Sequence, residues 1–117
     1  MAEQKLEIIQ NGDFKNLRLK PNVKKGFKGL ENGNHIVVEK LYEEGREVQG
    51  KYGAFYSCGV KYMDNEVSFI LNPKEHKKFD KVGEIGDNIK ITLNKESFVH
   101  PKTGVEMLIN RLSFEKV

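Results

Sequence analysis

The chain has 117 residues, a length that fits one domain built around one hydrophobic core. Its composition, 38% hydrophobic and 32% charged, is typical of a charge-rich soluble domain, and no apolar run approaches the ~20 residues needed to cross a bilayer. The net charge of +3 does not by itself require a polyanionic partner, and because no basic leader precedes an apolar segment we expect a cytoplasmic protein, in the host cytoplasm if viral, without membrane association.

Residues 1–30 are predicted to form an N-terminal extension. The stretch LEIIQNGDFKNLRL has an Asn-Gly dipeptide between alternating apolar flanks, which favours a hairpin. The glycine-interrupted loop that follows is basic, with six bases and no acid between Phe14 and Leu30. These bases are Lys15, Arg18, Lys20, Lys24, Lys25 and Lys28. Such a stretch can follow a phosphate backbone, and the alternative is a solvated, flexible arm.

Residues 31–117 are predicted to form a β-rich domain, because glycines cut the chain into short pieces. HIVVEKLYEEGREVQG is interpreted as a long strand or bent ribbon with a turn near Glu44-Gly45. KYGAFYSCGVKY then alternates as a strand, and it shares its last two residues with the next stretch, KYMDNEVSFIL. A turn at Asp64-Asn65 would pair the two strands as an antiparallel hairpin.

This hairpin has two faces of different character. The register expected from its turn places Tyr62 opposite Val67, and directly opposed residues share a face. One face is therefore predicted to be core and collects Tyr52, Ala54, Tyr56, Cys58, Val60, Tyr62, Val67, Phe69 and Leu71. The other face has no core to fill and collects Lys51, Gly53, Phe55, Ser57, Gly59, Lys61, Ser68 and Ile70.

The segment NPKEHKKFDKVGEIGD is the one predicted helix. Asn72 can cap it, Pro73 suits the first helical position and Gly83 can end it. NIKITLNKESF alternates apolar and polar residues as a strand does, HPKTGV is predicted to be a loop, and EMLINRLSFEKV is predicted to be the last strand.

The predicted order is a long bent strand, a hairpin pair, a short helix, a strand, a loop and a strand. This is the order of the five-stranded OB barrel, whose helix connects the third strand to the fourth. GEIGDNIKITL adds to the match, because OB domains often place a Gly-Asp turn before the apolar fourth strand. Residues 33–117 therefore resemble the OB domains of archaeal, phage and viral single-stranded DNA-binding proteins. We expect an all-β protein with one small helix, a five-stranded OB-fold barrel with an N-terminal β extension.

The resemblance implies a protein that binds and protects single-stranded DNA, largely without regard to sequence, during replication, repair or recombination. In OB domains one side of the second and third strands binds oligonucleotides, with bases stacked on aromatic rings and phosphates in basic grooves. Phe55 is the predicted stacking platform, and Lys51 and Lys61 are predicted to pair with phosphates. The alternative for Phe55 is that the N-terminal segment or the helix covers it. A one-residue bulge at Gly59 would turn Tyr62 outward as a second platform.

Further candidate contacts surround this face. Ser57 and Ser68 are predicted to hydrogen-bond to sugars or base edges. Tyr42 and Arg46 lie around the first turn of the expected barrel. Phe98 and Lys102 lie in the loop before the last strand, where the alternative is a polar loop with one ring on the core. The basic stretch adds Lys24, Lys25 and Lys28 to the predicted set.

No enzyme, metal or cofactor is expected. Cys58 lies on the apolar face of its strand, where it behaves as a small hydrophobic residue. The three histidines contain no ligand pair at metal spacing, and the chain has no Walker loop, nucleophile elbow or zinc signature.

Two other functions stay open. The domain could be an OB-type protein-interaction subunit of a larger assembly, with Phe55 and Ile70 as interface anchors. It could also bind single-stranded RNA, because no contact to a 2′-hydroxyl can be inferred. The expected partner is single-stranded nucleic acid, with DNA favoured over RNA. Because proteins of this type often act as oligomers, the resemblance also implies a possible homo-oligomer.

Overall fold

The computed structural model describes residues 2–51 and 53–117, so Tyr52, a predicted core residue, lies outside the described residues. The chain is mostly β with one short α-helix, which confirms the predicted class. The elements are β1 (Ile9–Asn11), β2 (Phe14–Asn16), a 3-10 turn (Val23–Lys25), β3 (His35–Lys40), β4 (Arg46–Gly50), β5 (Gly53–Tyr62), β6 (Asn65–Leu71), α1 (Pro73–Val82), β7 (Asn88–Val99) and β8 (Glu106–Lys116). No helix in this part of the chain is long and apolar enough to cross a membrane.

The eight strands form one open sheet in the order β1-β2-β6-β5-β3-β7-β8, with β4 paired to β5. The expected closed, five-stranded barrel was therefore wrong in both strand number and closure. Closure would need β8 to pair with β6, and no such pairing exists among the described strands. Two elements account for this: β2 takes the free edge of β6 through a parallel bridge at Asn16–Ser68, and α1 packs against β8, β5 and β6.

The strands β3 and β4 form one ribbon along β5. Glu39 lies opposite Lys61 near one end of β5, and Arg46 lies opposite Ser57 further back along it. The intervening residues 41–45 loop out between the two pairings. The bent ribbon with a turn near residues 44 and 45 was thus predicted correctly.

The β5–β6 hairpin turns at Met63 and Asp64, both of which have positive φ, as two-residue hairpin turns require. The observed pairs, including Val60 opposite Val67 and Cys58 opposite Phe69, differ by two residues from the predicted register. Because side chains alternate with a period of two, this shift leaves every residue on its predicted face. Six of the predicted core residues are buried: Cys58, Val60, Tyr62, Val67, Phe69 and Leu71.

Tyr62 is not a stacking platform. The β5–β6 pairing runs without a bulge past Gly59, so nothing turns Tyr62 outward. Its side chain is only 5% exposed, and its hydroxyl accepts a hydrogen bond from the Leu6 N–H at 3.0 Å. The prediction of an outward ring at this position was wrong because the bulge it required is absent.

The first thirty residues contribute to the same core as the rest of the sheet. The predicted hairpin forms, with Asn11 opposite Phe14. After it the chain runs beside β6, where the Leu17 N–H donates to the Ser68 carbonyl at 2.8 Å. Four leucines of this region join the core cluster: Leu6, Leu17, Leu19 and Leu30.

The helix α1 begins and ends as predicted. Asn72 accepts a hydrogen bond from the Glu75 N–H at 2.8 Å, the Glu75 carboxylate accepts one from the Asn72 N–H at 3.1 Å, and Pro73 opens the helix. Phe79 is buried and packs edge-on against Phe69 and Phe114. The helix therefore fills the space between β6 and β8 that a closed barrel would bridge with hydrogen bonds.

Candidate nucleic-acid interface

The outward face of the β5–β6 hairpin is the floor of two grooves. Ser57 lies opposite Ile70, and Gly59 lies opposite Ser68. The basic groove, with a volume of about 400 Å³, covers the Ile70 end and is lined by Arg18, Lys20, Lys25, Phe27, Phe55 and Ile70, among others. The tyrosine groove, of about 640 Å³, covers the Ser68 end and is lined by Phe14, Lys15, Tyr42, Arg46, Ser57 and Ser68, among others. The cross-strand pair Ser57–Ile70 contributes one residue to each groove, so the two adjoin.

The N-terminal segment builds one wall of the basic groove. Leu17 and Leu19 are buried, so the alternating residues Arg18 and Lys20 point away from the core. The Leu30 N–H donates to the Leu19 carbonyl at 2.8 Å and anchors the end of the loop. This alternation is a strand-like pattern that carries bases instead of neutral polar residues.

Phe27 lies in this loop against a cation. The Arg18 guanidinium carbon is 4.5 Å from the centre of the Phe27 ring, within the range of a cation–π contact. The backbones of Asn22 and Phe27 exchange two hydrogen bonds of 2.9 Å, which close the loop and hold the ring in place. The Arg18 Nε atom is buried and has no hydrogen-bond partner among the described residues. An unpartnered donor at this depth is unusual, because buried polar groups are nearly always hydrogen-bonded.

The basic groove is electropositive. Arg18, Lys20 and Lys25 line it against a single acid, Glu75. Lys20 and Glu75 form an ion pair of 2.8 Å, and Glu75 also caps α1. The charges of Arg18 and Lys25 therefore have no acid of their own among the lining residues.

Phe55, the predicted stacking platform, is half-buried and lines the basic groove. It rests on the backbone of Gly50, where an added Cβ would lie 2.9 Å from the Phe55 Cε1 atom. The N-terminal segment borders this ring from the side that carries Arg18 and Phe27. Two aromatic rings and three basic side chains thus line one depression, with Phe55 coming from a distant part of the chain.

The tyrosine groove has a different charge. Tyr42 donates a hydrogen bond of 2.6 Å to Glu66, and this bond to a carboxylate raises the pKa of the Tyr42 phenol. Phe14, which also lines this groove, is 75% exposed. Two bases, Lys15 and Arg46, line the groove together with three acids, Asp13, Glu44 and Glu66. Aromatic surface is present here, but the surroundings do not favour phosphates.

The helix α1 holds the turn that carries Tyr42 and Arg46. The Gly45 N–H donates to His76 Nε2 at 2.9 Å, and the His76 ring stacks on Tyr56 with centroids 3.9 Å apart. His76 is buried, so this contact couples the core to the wall of the tyrosine groove.

Several predicted contacts lie outside both grooves. Lys61 is exposed, has Glu39 and Glu66 as cross-strand neighbours, and lines a separate depression. Lys51, Lys24 and Lys28 are exposed and line neither groove. Phe98 and Lys102 lie at the far end of the β7–β8 hairpin, which β3 separates from β5 in the sheet. Of the predicted set, Phe55 and Lys25 reach the basic groove, and Tyr42, Arg46, Ser57 and Ser68 reach the tyrosine groove.

Sequence reasoning missed Phe14, Arg18 and Phe27 as individual contacts. Arg18 was counted only as part of a basic stretch, although its place between two leucines indicates an outward side chain. Phe27 lies between Lys25 and Lys28, and this interleaving of an aromatic residue with bases is the signal that could have found it.

The single cysteine of the chain, Cys58, is buried. Burial raises the pKa of the Cys58 thiol to about 12, so the thiolate that a nucleophile needs is disfavoured. Within residues 2–51 and 53–117, no three His, Cys, Asp or Glu side chains are grouped so that they could hold a metal ion.

Comparison with protein-family models, with curated proteins and with solved structures finds no match to this chain.

Proposed function

We propose that the two grooves bind single-stranded nucleic acid, DNA in preference to RNA, without strong sequence preference and without catalysis. The observation that carries the proposal is the meeting of Arg18, Phe27 and Phe55 in one electropositive depression. Single strands are held by lysine and arginine side chains that follow the phosphates and by aromatic rings that stack on nucleobases. Each stack contributes roughly 1–3 kcal/mol. Both ingredients are present in the basic groove.

The charge difference between the grooves supports a particular placement of the strand. Phosphates belong in the basic groove, which is lined by the guanidinium-bearing Arg18 and by Lys25, neither of them with an acid of its own there. Nucleobases can stack on Phe55 in the basic groove and on Tyr42 and Phe14 in the tyrosine groove. In the tyrosine groove Glu44 and the other acids repel phosphates. A strand crossing the Ser57–Ile70 pair would touch both.

We infer that strands β3 to β8 are an opened variant of the OB fold. The bent ribbon of β3 and β4 stands for the first OB strand, and it pairs with both β5 and β7. The helix α1 connects β6 to β7, which stand for the third and fourth OB strands, as in OB domains. The grooves lie on the second and third strands of that arrangement. This is the side with which OB domains bind oligonucleotides, which supports the same use here.

Fluorescence anisotropy with labelled oligo-dT, oligo-rU and a DNA duplex, each at two salt concentrations, tests the proposal. We expect salt-sensitive binding of the single strands, tighter for oligo-dT, and little binding of the duplex. Arg18→Ala should weaken binding, and Lys78→Ala on the exposed side of α1 is the control. Equal binding of duplex and single strand, or no binding at low salt, would refute the proposal.

A protein-interaction role has one observation in its favour. Ile70 is 48% exposed on the same face, so the face presents an apolar side chain that stacking does not require. A photo-crosslinking amino acid placed at residue 70, used in a nuclease-treated extract, separates the two functions. One specific protein adduct, together with no oligonucleotide binding, would favour this role.

A further inference from the structure

The far half of the β7–β8 hairpin exposes a group of apolar side chains. It holds five of the eleven large hydrophobic side chains that are exposed in the described chain, namely Phe98, Val99, Val105, Met107 and Leu108. Leu108 is 70% exposed and Val99 is 63% exposed. Clusters of this kind on an otherwise charge-rich surface mark interaction sites.

Both faces of this half-hairpin carry exposed apolar side chains among polar ones. Leu93 and Leu112 form the last pair of opposed residues that are both buried, so the hairpin extends beyond the core from there. Phe98 lies opposite Met107 on one face, and Leu108 lies on the other. Residues 95–99 and 101–108 of this extension are all exposed.

The β8 strand is also an open edge. It is the last strand of the sheet, 11 residues long, and no described strand pairs with its outer side. Edge strands are usually protected by lysine, proline or a bulge. Between Glu106 and Arg111 the residues are Met, Leu, Ile and Asn, none of which gives such protection.

We propose that two copies of this chain pair through β8, antiparallel, about a two-fold axis at Leu108. In this register Leu108 faces the partner's Leu108, Met107 faces the partner's Ile109, and Glu106 faces the partner's Asn110. Within residues 106–110 apolar residues oppose apolar residues and no like charges meet, which is what stabilises cross-strand pairs. The isologous contact joins the two sheets into one and closes on itself as a dimer.

The neighbouring two-fold registers fit less well. An axis at Met107 places Glu106 opposite the partner's Leu108. An axis at Ile109 places Met107 opposite the partner's Arg111. This self-complementarity is the reason to assign the surface to a second copy instead of to another protein. The inference does not depend on the proposed binding of nucleic acid, because the grooves lie across β3 from this hairpin.

Light scattering coupled to size-exclusion chromatography tests the dimer without nucleic acid. We expect a mass twice that of the 13.4 kDa chain at high protein concentration and the monomer mass for Leu108→Lys. Ile85→Lys, another exposed apolar position, should keep the dimer. A monomer at every concentration, a larger assembly, or a dimer that survives Leu108→Lys would overturn the proposal.

Cysteine crosslinking tests the register. Opposed Cα atoms in an antiparallel pair are about 4.5–5.5 Å apart, a separation that a disulfide can span. Under mild oxidation Leu108→Cys should form a covalent dimer, whereas Lys102→Cys in the exposed loop should not. The native chain is the control, since Cys58 is buried. No crosslink from Leu108→Cys, or equal crosslinking from Lys102→Cys, would contradict the proposed axis.

Discussion

The ring of Tyr42 lies against Gly59 so closely that a Cβ at residue 59 would be 2.6 Å from the Tyr42 Cε2 atom. Because Gly59 has no side chain, the outward face of β5 leaves room there for the Tyr42 ring, which comes from the turn before β4. The same ring is fixed at its other end by the hydrogen bond from Tyr42 to Glu66. Residues from β5, β6 and the turn thus position one aromatic side chain over the sheet.

Gly59→Ala should displace this ring. We expect a loss of about 1–3 kcal/mol in the free energy of unfolding, because the added methyl group overpacks the contact. Affinity for oligo-dT should fall as well, since Tyr42 lines the tyrosine groove. Urea denaturation and anisotropy measure the two effects. In a double-mutant cycle with Tyr42→Ala the stability losses should not add, and simple additivity would show that the methyl group clashes elsewhere.

Lys25 and Lys24 offer a matched pair of charge deletions. They are adjacent on one 3-10 turn, but only Lys25 lines the basic groove. Lys25→Ala should lower affinity for oligo-dT and reduce the slope of log K against log salt by about 0.7, the value for one phosphate contact on a single strand. Lys24→Ala should change the slope much less. If the two variants behave alike, the phosphates do not run through this groove.

Phe55 and Tyr56 are neighbours on opposite faces of β5. Phe55→Ala should cost about 1–3 kcal/mol of binding free energy, because it removes a stacking ring from the basic groove, and should lower the melting temperature less than Tyr56→Ala does. Tyr56→Ala should chiefly destabilise the fold, because Tyr56 packs against the core and stacks on His76. Thermal melts and anisotropy on both variants give the comparison. The opposite pattern would mean that Tyr56, not Phe55, contacts the ligand.

The local pattern of the sequence was sufficient for the faces of β5 and β6 but not for the shape of the sheet. The two-residue error in the predicted register did not change the assignment of faces. A shift of two residues is one full period of the pleat, so Cys58 and Val60 stay on the core face. The pairing of Asn16 with Ser68 is different in kind. It joins segments 52 residues apart and decides whether β6 has a free edge for barrel closure. Nothing in the alternation of either segment encodes that contact.

The same reason explains the partial prediction of the grooves. Phe55 was found because its strand alone shows which way it points. Arg18 and Phe27 join it only because the N-terminal segment docks on β6, a tertiary event. Lys61 was expected at the site from alternation alone, yet Glu39 and Glu66 flank it across the neighbouring strands.

His76 holds the turn at residues 41–45 in place. Its Nε2 accepts the Gly45 N–H at 2.9 Å, and its ring stacks on Tyr56. His76→Phe should keep the stacked ring but lose this acceptor, so we expect the Gly45 amide resonance to shift and its hydrogen exchange to become faster. An unchanged Gly45 amide in His76→Phe would show that this hydrogen bond does not hold the turn.

Cys58 should contribute to stability in a pH-dependent way. Burial raises the pKa of its thiol from 9.0 to about 12, and the charge of Asp80 adds to the shift while Lys40 opposes it. Because the folded pKa lies above the unfolded value, the stabilising contribution is complete below pH 9.0 and is lost as pH rises toward about 12. The free energy of unfolding should therefore fall more steeply above pH 9.0 in the native chain than in Cys58→Ala. Equal slopes, or rapid alkylation of the native thiol at neutral pH, would show that the thiol is not shielded by the core.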